Sequence, residues 1–95
     1  MNGTDQDDII TVISGVCDYY GRKGDDHFIL ATTDDVRIDG GFGHDVFEFQ
    51  LLIDQTATFS EISDDRTVIK IFEDGVQVQK IVLLDVEQID WFMVG

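Results

Sequence analysis

Three eight-residue segments recur in phase along the first half of this 95-residue chain. Gly3-Thr4-Asp5-Gln6-Asp7-Asp8-Ile9-Ile10, Gly21-Arg22-Lys23-Gly24-Asp25-Asp26-His27-Phe28 and Gly40-Gly41-Phe42-Gly43-His44-Asp45-Val46-Phe47 align without gaps. Each has Gly first, Asp sixth and a large apolar residue eighth, and the starts at 3, 21 and 40 are 18 and 19 residues apart. One such octet can arise by chance in a chain rich in Gly and Asp. Three at a near-constant period require equivalent units that stack on one another.

Between the octets lie two half-turns of similar length, residues 12–20 and 30–39, without the Gly pattern. Octets and half-turns alike end in alternating apolar residues: Ile10 and Val12, Phe28 and Leu30, Val36 and Ile38, Phe47 and Phe49. Period-two alternation marks a strand with one buried face. The unit is therefore loop, short strand, loop, short strand. Antiparallel hairpins would not place identical loops on one side at this spacing, whereas a parallel coil would.

After Gln50 the character changes. Gly becomes rare, and strand-like runs occupy residues 56–62, 67–72 and 76–84. Asp74-Gly75 between the last two is a two-residue type I′ hairpin signal. Residues 51–95 read as a small antiparallel cap, with 76–94 covering Phe47 and Phe49 at the end of the coil, and residues 1–95 as one domain.

Twenty Asp and Glu against six Lys and Arg give a formal charge of -14. That argues against nucleic acid and anionic membrane surfaces as partners, since both select basic patches. Disorder is opposed by the 43% hydrophobic content and seven Phe. Something should offset the self-repulsion of the folded chain; bound divalent cations are one candidate, and plain solvation of a monomer surface is the alternative. Cys17 is the single cysteine, so no intramolecular disulfide forms, and it reads as a small core residue. With two His in unrelated octet positions, His27 and His44 read as surface residues rather than zinc ligands. No apolar run is long enough to insert into a membrane. No signal-peptide region follows Met1.

In each octet, Gly permits tight curvature and φ > 0, leaving backbone carbonyls in the loop, and the sixth-position Asp adds a carboxylate. Stacked loops bring these hard oxygens together, a donor set that suits Ca²⁺ rather than zinc or copper. Residues 40–48 match every fixed position of the nonapeptide G-G-x-G-x-D-x-U-x. The chain thus resembles the RTX (hemolysin-type) calcium-binding repeat family over residues 3–49. Asp85-Val86-Glu87-Gln88-Ile89-Asp90-Trp91 resembles, less closely, a segment that often follows such repeats. The resemblance implies a right-handed parallel β-roll of about two and a half coils, closed by the C-terminal antiparallel β cap.

It also implies calcium ions held between successive loops. Site one would use Thr4, Gln6, Asp8, Gly21, Lys23 and Asp26; site two would use Arg22, Gly24, Asp26, Gly40, Phe42 and Asp45. Only the three Asp would act through side chains, with Asp26 shared. Gln6 stands where left-handed backbone is expected, at a cost of about 1–2 kcal/mol. Arg22 and Lys23 oppose a cation unless they point to solvent. Asp7 and Asp25 read as solvated acids.

No nucleophile motif surrounds Ser14, Ser60 or Ser63, so a catalytic role is not expected. The expected function is a secreted, extracellular, non-catalytic module that folds on binding Ca²⁺ and supports a neighbouring domain. Type I secretion machinery is a possible partner, since residues 90–94 resemble the ending of some of its substrates. Self-association through the open N-terminal coil is a further expectation. The alternative is an accessory module of an extracellular enzyme that binds polysaccharide or protein, marked by an exposed aromatic row.

Overall fold

The computed structural model describes residues 3–94 and is all-β, with nine strands. They are β1 (Ile9–Val12), β2 (Asp18–Tyr20), β3 (His27–Leu30), β4 (Val36–Asp39), β5 (Val46–Leu52), β6 (Gln55–Ser63), β7 (Arg66–Glu73), β8 (Val76–Leu84) and β9 (Gln88–Val94). The octets precede β1, β3 and β5, and the half-turns carry β2 and β4. Alternation decides the buried faces: Ile10, Val12, Phe28, Phe47 and Phe49 point inward from one set of strands. Tyr19, Val36 and Ile38 do so from the other.

Two sheets result. One has the order β1-β3-β5-β9 and is wholly parallel. The other has the order β2-β4-β8-β7-β6 and is mixed. In the mixed sheet β8 pairs parallel with β4 on one side and antiparallel with β7 on the other. Asp74 and Gly75, at φ 52° and 80°, make the type I′ turn between β7 and β8.

This topology corrects the fold class expected from sequence. The second half is no antiparallel cap on a right-handed parallel β-roll: its strands belong to the sheets themselves. β8 aligns Ile81 with Val36 and Leu83 with Ile38, and β9 aligns Ile89 with Phe47 and Trp91 with Phe49. The reason lies in the edges left by the repeats. β4 and β5 each offer an unpaired row of backbone donors and acceptors beside apolar side chains. The densest apolar run, Ile81 to Leu84, satisfies β4 directly, and residues 88–94 satisfy β5. The fold is therefore two sheets, one parallel and one mixed, sharing a core that runs from Ile10 to Ile69, Ile71, Ile81 and Leu83.

Cys17 departs from expectation as well. It is exposed, while its neighbours Val16 and Tyr19 take the inward positions.

Candidate metal centre

The loops before β1, β3 and β5 stack in register along one end of the strands. Three backbone bonds fix the phase: N–H of Gly3 donates to the Tyr20 carbonyl, Gly21 to Asp39 and Gly40 to Leu84, at 2.7–2.8 Å. A fourth member completes the series, with Asp85 N–H donating to the Asp65 carbonyl at 2.7 Å. Strand register agrees, because Gln88 aligns with Val46 as Val46 aligns with His27. Asp85-Val86-Glu87 is thus a shortened fourth loop, with Asp85 in the place of the first Gly and Glu87 in that of the sixth Asp.

The sixth-position acids form a column. Asp8 N–H donates to Oδ1 of Asp26 at 3.0 Å, and Asp26 N–H to Oδ1 of Asp45 at 2.9 Å. Asp45 N–H donates to Oε2 of Glu87 at 2.6 Å. Asp26, Asp45 and Glu87 each hold the loop before them through one oxygen. The other oxygen differs between rungs. Oδ2 of Asp8 is occupied by Thr4, through its N–H at 2.7 Å and its hydroxyl at 2.9 Å. Oδ2 of Asp26 and Oδ2 of Asp45 are buried and have no hydrogen-bond partner. Their residues are 1% and 0% exposed.

Backbone carbonyls approach the same places. A Cβ on Gly21 would lie 2.6 Å from both Oδ2 of Asp26 and the Gly40 carbonyl. A Cβ on Gly40 would lie 2.7 Å from Oδ2 of Asp45 and 2.5 Å from the Asp85 carbonyl. Only glycine leaves room for these oxygens to converge. Gly24 sits on the Gln6 carbonyl, and Gly43 on that of Gly24.

A buried carboxylate with a bare oxygen is unfavourable when ionised. Burial pushes Asp45 up from 3.8 to about 7, with the charges of Glu87 and Asp26 adding to the rise. Burial raises Asp26 as well, and the Asp8 charge adds to it. Either a proton or a cation relieves this, and hard-oxygen donors fit Ca²⁺. Among the described residues no group of three or more His, Cys, Asp or Glu is arranged to hold a metal. A bound ion would take most of its ligands from carbonyls.

No family model, curated protein or solved structure matches this chain.

The residues expected for site two are brought together most closely. Asp26, Asp45 and Gly40 contribute oxygens at the column, and Gly24 supports the loop above it. Arg22 and Phe42 meet instead through the backbone, with Phe42 N–H on the Arg22 carbonyl at 2.9 Å. Arg22 takes the left-handed conformation at φ 69°, and its side chain turns outward to Asp5, Nε to Oδ1, at 3.4 Å. Lys23 is also exposed.

Site one is built differently. Gln6 has no positive φ, contrary to expectation, because the first loop is tied by Thr4 to Asp8 rather than by left-handed turns. Gly21 presents its carbonyl beside Oδ2 of Asp8, both 3.0 Å from the Cβ position of Gly3.

Two roles were not read from sequence. Glu87 belongs to the column, and its signal was an acid two residues before an apolar one, as in Asp45-Val46-Phe47. Asp7 and Asp25 are not merely solvated. Oδ1 of Asp7 accepts from Asp25 N–H, and Oδ1 of Asp25 accepts from His44 N–H, both at 2.7 Å. Their shared fifth position in successive octets was the available clue.

Proposed function

We propose that this chain is a non-catalytic calcium-binding module of the kind the RTX resemblance implies, ordered by extracellular Ca²⁺ and supporting a secreted protein. The observation that carries this reading is the pair of buried, unpartnered oxygens on Asp26 and Asp45 beside converging carbonyls. Asp26, Asp45 and the Gly40 and Asp85 carbonyls would hold the ion, with Glu87 at the end of the column. Bound calcium supplies positive charge that lets these carboxylates stay ionised inside the fold. The chain's own part is to fix the orientation of the Asp26 and Asp45 carboxylates through the Asp8 and Asp26 N–H bonds.

Extracellular calcium modules bind with Kd of about 10⁻⁴–10⁻³ M. Calcium at about 1 mM then adds about 0.4–1.4 kcal/mol per site. Without it, the acidic loops repel and the stack loosens. Circular dichroism with calcium, with magnesium and with EDTA tests the reading. Calcium should raise β content and thermal stability, and magnesium should do so poorly, because it demands compact octahedral geometry. Spectra and melting unchanged by calcium would overturn it.

A further inference from the structure

The mixed sheet ends in β6, a nine-residue strand bonded on one side to β7 and free on the other. Such edges are usually blunted by charge, Pro or a bulge that turns them away. β6 carries one charged residue, Glu61, and no Pro, and its irregularity lies at its far end, between Glu61 and Ser63. Its row of backbone groups is open to a further strand.

The two faces beside this edge are chemically unlike. Inward, β6 and the other sheet's edge, β9, bound a mainly apolar groove lined by Leu51, Ala57, Phe59, Trp91 and Met93, with Gln55 and Thr56 at one end. Phe59, Trp91 and Met93 are 44%, 49% and 56% exposed there. Outward lies a second hollow, lined by Ser60, Ile62, Arg66, Val68, Lys70 and Lys80. It holds three of the chain's six cations and no acid, in a chain of charge -14.

Lys70 and Lys80 stand directly opposite each other across the strand pair. Like charges so placed are destabilising. Asp35 reaches the border of the cluster, its Oδ1 accepting the Lys80 N–H at 2.8 Å, but no acid lines the hollow itself. Its complement is negative charge from outside.

We propose that β6 is the acceptor edge for an extended segment of another protein in which apolar residues alternate with acidic ones. Strand addition supplies main-chain hydrogen bonds, and alternate side chains read the two faces. One set enters the groove of Phe59, Trp91 and Met93. The other lies beside Thr58 and Ser60 on the outer face, toward Arg66 and Lys70 on β7, with Lys80 one strand further in.

Trp91 is the sole tryptophan and lines the groove, so its emission reports the covered state directly. The probe is a capped peptide of alternating valine and glutamate, matched to β6 in length and titrated at saturating calcium. The comparison peptide alternates valine and lysine. The valine–glutamate peptide should give a saturable blue shift, and the valine–lysine peptide none. Lys70→Glu combined with Lys80→Glu should weaken the first peptide by about tenfold or more and admit the second. Lys70→Gln, a milder change on the same outer face, should weaken the first peptide in the same direction should the double reversal fail to fold. The proposal is overturned by the absence of a saturable shift, by equal binding of both peptides, or by indifference to charge reversal. It is also overturned if the shift develops with protein concentration alone and sedimentation shows a dimer, since the occupant would then be a second copy.

Discussion

Asp26 donates its backbone N–H to Oδ1 of Asp45 at 2.9 Å, and this one bond decides how the Asp45 carboxylate is used. With Oδ1 held by the neighbouring loop, Oδ2 is left buried and bare. The carboxylate is thus oriented before any ligand arrives. Asp45→Asn should consequently have opposite effects in two conditions. With calcium it should abolish most of the calcium-dependent stabilisation. In EDTA near pH 8 it should raise the melting temperature, because a neutral amide replaces a buried charge. An equal effect in both conditions would remove Asp45 from the ion site.

The pH dependence of the metal-free chain follows from the same group. Its folded value of about 7 lies above the ordinary 3.8, so the native state holds more protons than the unfolded state between those values. Asp26 is raised in the same direction. Stability should therefore fall as pH rises from about 4 to about 7 and level off above, by linkage. Asp45→Asn should flatten most of that slope. With calcium bound the carboxylates are ionised, and acidification should instead release the ion. Melting curves in EDTA that rise with pH over this window would contradict the assignment.

Glu87 accepts the Asp45 N–H at 2.6 Å, so Glu87→Ala strands a part-buried donor. The expected loss is about 1–3 kcal/mol, with weaker calcium binding. Glu87→Gln should restore the hydrogen bond but not the charge, recovering stability more than affinity. Asp8→Ala should be milder for calcium, since Thr4 already occupies its carboxylate. Calorimetric titration of the three variants checks this, and a loss at Asp8 as large as that at Glu87 would refute the order.

Glycine substitutions separate crowding from backbone strain. Gly40→Ala would push a methyl against the Asp85 carbonyl at 2.5 Å and Oδ2 of Asp45 at 2.7 Å. Gly75→Ala meets nothing within 4 Å but keeps φ 80°. The second should cost about 1–2 kcal/mol from strain alone. The first should cost clearly more and lose the calcium response. Similar melting temperatures for the two would mean that the loops relax freely.

Cutting the chain after Gln50 leaves every octet intact but removes β8 and β9, the second partners of β4 and β5, and the last two residues of β5. Phe47, Phe49 and Ile38, each no more than 1% exposed, would lose their cover. The fragment should remain unfolded or aggregate at calcium concentrations that order the full chain. Cooperative folding of residues 1–50 would show that the second half is dispensable to the core.

Much of this architecture is legible in the sequence, and the parts that are not share a cause. The octets, the alternating strands and the Asp74-Gly75 turn depend on residues close together, and they form where local chemistry puts them. The partner of Val76–Leu84 does not. An apolar strand pairs equally well with β7 beside it or with β4 from the first half, and here it takes both. Nothing in Ile81-Val82-Leu83-Leu84 announces direction, so an antiparallel unit and a continuing parallel sheet read alike. Glu87 was hidden for a related reason. Its loop lacks the glycines, and only the register of Gln88 with Val46 reveals its place. The column of Asp8, Asp26 and Asp45, by contrast, follows from the repeat itself.

The pairing of β4 with β8 also ties the two ends of the chain together. Residues 36–39 have their partners at 81–84, so the mixed sheet extends past β4 only through the second half of the chain. Pairings of such long sequence separation raise contact order, which goes with slow folding. Leu84 beside Asp39 brings Asp85 into line with the loops and Glu87 to the Asp45 N–H. The last carboxylate of the column is thus held in place by both halves, which makes its hydrogen bond a reporter of the whole chain rather than of the repeats alone.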